Sequence, residues 1–172
     1  MNTKTGNVEA DIEAKFWKAL KGDRVAMLGL VGVEEGHSQP MSAQLLEEDE
    51  ERGGPIWFFT SKDTDLARAL ADSQRAHIHF SSKGHELFAA VHGTLAAIND
   101  RATIDRLWSK WVAAWFEGGK DDPKLLLLRF DPERAQIWLN ENSVFAGIRI
   151  LLGRDPKQDY KSKVANVNLR QH

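Results

Sequence analysis

The chain has 172 residues, 42% of them hydrophobic and 28% charged, which suits one globular domain with its own core rather than a disordered tail. A formal charge of −2 lacks the basic footprint of a nucleic-acid binder, and the lack of cysteine excludes disulfides, thiolate metal sites, iron–sulfur clusters and a cysteine nucleophile. The polar opening MNTKTGNVEADIEAK is unlike a signal peptide and no run approaches the ~20 apolar residues of a membrane span, so a cytoplasmic setting is expected, with neither membrane nor nucleic acid as partner.

Val8, Ile12, Phe16, Ala19 and Leu20 recur on one helical face and predict a helix from about Val8 to Lys21, with Gly22 as its stop. From Arg24 to Val33 the pattern changes to strand. Val25, Met27 and Val31 lie on one side and Leu28 and Leu30 on the other, so both faces are expected to be buried. Glu34, Glu35 and Gly36 read as a turn, Ser38 to Leu46 as the returning strand, and Glu47 to Gly54 as a solvated loop. Pro55 to Thr60 (PIWFFT) predicts a short aromatic strand, followed by a short helix with Asp63 as cap and Leu66 and Leu70 as its apolar residues.

In the segment Gln74 to Ser81, the residues Gln74, Ala76, Ile78 and Phe80 alternate with Arg75, His77, His79 and Ser81. Gly84 then turns the chain into a long strand from His85 to Ile98. Ile104, Leu107, Trp108, Trp111, Val112, Trp115 and Phe116 keep helical spacing and predict one helix from Asn99 or Asp100 to the stop at Gly118 and Gly119. Leu125 to Phe130 predicts a strand, Asp131 and Pro132 a turn, and Ala135 to Leu139 a further strand. Residues 153–172 read as a polar tail, in which VANVNL is either an edge strand or loose. Strands joined at hairpin lengths, with few helices, predict an α+β domain over residues 1–152, built as an antiparallel barrel with peripheral helices.

The nucleotide loops GxGxxG and GxxxxGK[ST] and the GxSxG elbow are missing. His77 and His79 share a strand face, but spacing places no third metal ligand beside them, and a metal-free surface pair is the expectation. The step Thr60-Ser61-Lys62 is more informative. Outward amides and hydroxyls at a helix start, with a lysine beside them, are the minimum needed to hold one phosphate; the plainer reading is a capped helix beside a core strand. The Trp108, Trp111, Trp115 stripe reads either as core, or as a dimer interface or the wall of a pocket for a flat ligand. Six Trp and eight Phe are more than a small barrel readily buries alone, which favours self-association.

Three stretches carry a resemblance: HSQPMSAQ (His37 to Gln44), IWFFTSKDTDLARAL (Ile56 to Leu70) and WVAAWFEGGKDDPKLLLLRFDPERAQIWL (Trp111 to Leu139). Together, and in this order over about Val8 to Leu151, they resemble the FMN-binding split-barrel superfamily related to pyridoxamine 5′-phosphate oxidase, in its bacterial general stress protein branch. The resemblance implies a six-stranded Greek-key split barrel and a homodimer with flavin sites at the subunit interface. On it, Met41 and Ser42 flank the ring system, while Phe58, Phe59 and Thr60 line it through backbone and side chain. Ser61 and Lys62 hold the phosphate, and Trp111 and Trp138 wall the partner subunit's site.

Two departures from the pattern matter. Gln39 stands where the family often has Arg, and Leu66 where it often has Lys. Each lost charge-assisted bond costs about 1.5–3 kcal/mol of binding, so an exchangeable FMN is expected, with FAD as an alternative guest. The function implied is a flavin-dependent oxidoreductase of unidentified substrate; the alternative is a non-catalytic flavin-binding or stress-sensing module.

Overall fold

Apolar residues at every second position give each strand a face to bury, and seven strands join in one antiparallel sheet. The computed structural model describes residues 3–33, 38–50, 52–140 and 164–169. In chain order the elements are α1 (Thr3–Asp23), β1 (Val25–Leu30), β2 (Gln39–Ser42), β3 (Ile56–Ser61), α2 (Asp65–Ala69), β4 (Gln74–Ser81), β5 (Leu87–Ala97), α3 (Arg101–Leu107), α4 (Lys110–Ala113), β6 (Leu125–Leu139) and β7 (Val164–Asn168).

The sheet order is β2-β1-β4-β5-β6-β3, with β7 added to β6. β4, β5 and β6 follow one another as antiparallel neighbours while β3 returns beside β6, which is a Greek key. The two ends of the order, β2 and β3, meet at a single bridge between Gln44 and Trp57 (N–H to O=C 2.8 and 2.9 Å). The result is a nearly closed six-stranded barrel, split between β2 and β3, with helices around it: an α+β split barrel as expected.

Leu28, Ile56, Phe58, Val91, Leu95, Leu128, Phe130 and Ile137 fill the barrel and are wholly buried. On this core α1 lays Ile12, Phe16, Trp17 and Leu20, with Phe16 meeting Phe80 edge-on at 6.1 Å. Ala165 and Val167 of β7, with Leu169 just beyond it, complete that core, so the VANVN segment is a paired strand.

Several local expectations are corrected. The first helix passes Gly22 and ends at Asp23, where Arg24 takes a left-handed conformation (φ 61°). Val8 lies exposed on it. The helix expected from Asp100 to Phe116 is two. Trp108 is extended (ψ 127°), and the Ser109 hydroxyl starts α4 by accepting from the Val112 N–H at 3.3 Å, a local cap that outcompetes helix continuation.

Asp131 and Pro132 form no turn; they lie within β6. The register with β5 shifts beside Gly93, a bulge. Gly93 is required there because a Cβ would run into the Asp131 carbonyl. Pro132 is tolerated because β3 pairs with β6 only up to Phe130 and β7 only from Arg134, so its missing N–H leaves no ladder bond unmade on that side. The expected turn at Glu34, Glu35 and Gly36 lies outside the described residues.

Outside the barrel a second cluster forms. Trp57, Leu125 and Leu127 point outward from β3 and β6, and Ile104 and Leu107 of α3, Val112 of α4 and Phe116 just beyond it cover them. Trp108 closes over Phe59 in an edge-on contact at 5.9 Å.

Candidate functional site

β2 and β3 diverge beyond their one bridge. Residues 39–42 pair only with β1 and, Trp57 apart, residues 56–61 only with β6, so beyond that bridge the backbone edges that face each other across the split have no ladder partner among the described residues. The split therefore leaves main-chain donors and acceptors outside the ladder. On β2, Met41 turns into the core opposite Ala26, Ser42 is exposed opposite Val25, and the Gln39 side-chain amide reaches the Met41 sulfur at 3.0 Å.

On β3 the alternation decides which groups are free. Phe58 is wholly inside the core, and Phe59 is held under Trp108. Their expected side-chain lining of a ligand is thus corrected: only Phe59 faces the split by backbone, because Trp57 directs its N–H and C=O to Gln44 and Phe58 pairs with Leu128 of β6. Thr60 is buried, its hydroxyl 3.4 Å from that of Thr64. Leu66 is wholly buried and serves the core.

The turn after β3 also differs from expectation. The Lys62 N–H donates to the Lys124 carbonyl (2.9 Å), the Asp63 N–H to the Ser61 hydroxyl oxygen (3.2 Å) and the Thr64 N–H to the Ser61 carbonyl (3.1 Å). Thr64, and not Asp63, caps α2 by accepting from the Ala67 N–H at 3.2 Å. The amides of residues 62–64 are therefore already used, and α2 has only five residues to contribute a dipole. Asp63 pairs with Lys124 at 2.8 Å, which holds its carboxyl below the usual range and the lysine above its own. Arg68 is taken by Asp65 at 2.7 Å. What remains for an anion is the Ser61 hydroxyl proton and the exposed Lys62 ammonium.

Trp111 lies on α4, 74% exposed, under the Lys110 ammonium. Trp115 beside it is 83% exposed. Trp138 lies on β6 opposite Phe88 and lines an open, mostly apolar recess of about 540 Å³ with Val25, Met27, His79, Phe88 and Ala90. This recess is on the outer face of β1, β4, β5 and β6, and Trp138 is the one expected site residue in it.

Sequence reading missed that face. Val25 and Met27, expected in the interior, are exposed on it, and so is Phe88. The available signal was Phe88 itself, a large apolar residue on the polar phase of its strand. His92 of β5 also stands opposite His77 of β4, a juxtaposition that spacing alone does not show. Among the described residues no group of three or more His, Cys, Asp or Glu is placed to hold a metal ion. No described helix is long and apolar enough to cross a membrane.

Barrel, split and helical cover together define a split-barrel protein open between β2 and β3. The model of the family described as pyridoxamine 5′-phosphate oxidase like matches residues 11–160. General stress protein 26 of Bacillus subtilis is 31% identical over 133 residues, 75% of this chain and 89% of that protein. The chain belongs to the pyridoxamine 5′-phosphate oxidase-like family.

Among solved structures it is similar to the general stress FMN/FAD binding protein of Xanthomonas citri, with 58% identity, a TM-score of 0.71, and 77% of this chain and 92% of that one covered. A general stress family protein of Xanthomonas campestris matches at 59% identity and a TM-score of 0.71, over 77% of this chain and 90% of that one. A general stress protein 26 of Jannaschia sp. CCS1 matches at 35% and 0.76, over 92% and 99%.

Proposed function

We propose that this chain is a cytoplasmic flavin-binding protein of the general stress type, holding FMN at the interface of a homodimer and accepting FAD as a second guest. The observation that carries this reading is the seam: two unpaired strand edges beside the Ser61 hydroxyl and the Lys62 ammonium. Met41, Ser42 and the backbone of Phe59 flank the ring system, while Ser61 and Lys62 hold the phosphate. The likeness to the Xanthomonas citri FMN/FAD binding protein supports it.

The residues present suit a flavin, with two qualifications of physical consequence. Gln39 and Leu66 bring no charge, and Lys124 and Arg68 are engaged by carboxylates, so the phosphate is weakly anchored. The expected stacking partners Phe58 and Phe59 are turned away, so the ring needs an aromatic wall from elsewhere. Trp111 and Trp138 of a second copy supply that wall, and the exposed apolar face around Trp138 is where the second copy seats.

A bound flavin supplies electron transfer; the chain's own residues place and enclose it. Titration calorimetry and flavin-fluorescence quenching test the reading. FMN is expected to bind with measurable heat, to be quenched, and to be lost on extensive dialysis; no heat and no quenching with either flavin overturns it. Anaerobic bleaching of the loaded protein by NADH or NADPH marks an oxidoreductase, and no bleaching marks a flavin store or sensor.

A further inference from the structure

We propose that the subunit seam is acid-labile: protonation of a histidine cluster, His77, His79 and His92, on the bare outer face of the sheet separates the two copies and releases the flavin. The inference rests on the homodimer reading above.

The cluster follows from the strands. Alternation along β4 puts His77 and His79 on the same outer face, with ring centroids 4.8 Å apart, and the β4–β5 register sets His92 directly opposite His77. His79 lines the recess beside Met27 and Phe88, so the cluster adjoins the apolar surface that a second copy covers. On β1 the residue opposite His77 is Gly29, and a Cβ there would collide with the Ser38 hydroxyl and the His77 imidazole. The imidazole is thus packed down onto the sheet. Burial, with His79 and His92 adding, already holds His77 below the usual histidine range.

Among the described residues the surroundings provide no ready counter-charge. From β1 the cluster meets Met27 and Gly29, and from β5 it meets Ala90 and Thr94 besides His92. From β6, Arg134 stands opposite His92. On β4 itself the next outward residue is Arg75, which holds Glu133 at 2.6 Å, and Glu133 also accepts from Thr94 at 3.2 Å. Asp131, opposite Thr94, is held by Arg129 at 2.8 Å.

Protonation therefore sets like charges beside one another and beside Arg134. Joining two copies doubles the cluster within one interface and removes more of its water. The charged form is then disfavoured in the dimer relative to the monomer, so the monomer binds more protons. Dimer stability is present above the histidine range and is lost as pH falls through it.

Sedimentation equilibrium of the full chain with FMN, from about pH 8 to about pH 5.5, tests this, with far-UV circular dichroism at each pH to follow the fold. The dimer dissociation constant is expected to rise about tenfold or more, because both copies carry the cluster and every proton the monomer binds in preference adds to the effect, and FMN to be released in parallel. The variant His77→Gln, His79→Gln, His92→Gln is expected to stay dimeric across the range; His79→Gln alone, the milder change, is expected to flatten the profile in part. A folded dimer indifferent to pH overturns the inference and leaves the homodimer intact, as does a pH dependence that survives both variants. A monomer at every pH overturns the homodimer reading and this inference with it.

Discussion

The outer side of this sheet comes in two halves with similar sequence patterns and opposite fates. Over β3 and the first part of β6, Trp57, Phe59, Leu125 and Leu127 are sealed by α3 and α4. Over β1, β4 and β5, Val25 (59% exposed), Met27 (41%) and Phe88 (38%) have no such cover among the described residues. Both halves put apolar side chains on the strand phase that faces away from the barrel core. One is closed by a helical insertion between β5 and β6, and the other is left uncovered by the described residues. An apolar outward face is therefore completed core in one place and an open apolar face among the described residues in the other, depending on where the intervening helices fall.

The largest expected effect separates the halves by stability. Trp57→Ala empties the sealed cluster and is expected to cost about 3 kcal/mol, the lower part of the usual range for a buried tryptophan. The figure is held down because the buried Trp57 indole N–H has no hydrogen-bond partner among the described residues, and removing it recovers part of its desolvation cost. Urea unfolding measures this, and a loss under about 1 kcal/mol would mean that α3 and α4 close down without it.

Phe88→Glu probes the bare half, where urea unfolding at a protein concentration low enough to keep the chain monomeric should move by less than about 0.5 kcal/mol. Self-association should instead weaken by about 2 kcal/mol or more, because a two-fold interface carries the buried charge twice. Sedimentation at low micromolar protein reads it, and an unaltered dimer would place the interface elsewhere. The smallest effect sharpens the boundary between the halves. Ser109→Ala removes the α4 cap and is expected to cost about 1 kcal/mol, with a change in the fluorescence of Trp108 and its neighbours. No change in either would show that packing alone holds the break in the helix.

Much of the barrel was legible because its signals are local. The alternation in Gln74 to Ser81 matches β4 residue for residue, and PIWFFT followed by SKDTDLARAL marks β3, its turn and α2. What failed were places where a local signal met a competitor. The 3.6-residue stripe from Ile104 to Phe116 lost to a serine cap. The Asp131-Pro132 turn signal lost to a long strand that is unpaired there on its β3 and β7 side. At the site, the positions of Met41, Ser42, Ser61 and Lys62 at the seam follow from their strands, but the engagement of the turn's amides and of Lys124 with Asp63 does not.

By itself the sequence determined the strands, their inward residues and the class of the domain, because the period of apolar residues is set by backbone geometry within a few positions. Tertiary structure alone decided which outward residues are covered, that Phe58 and Phe59 turn from the seam, and that His92 comes to stand beside His77 and His79. Each of these depends on segments far apart in the chain, and packing between such segments is recorded in no local pattern.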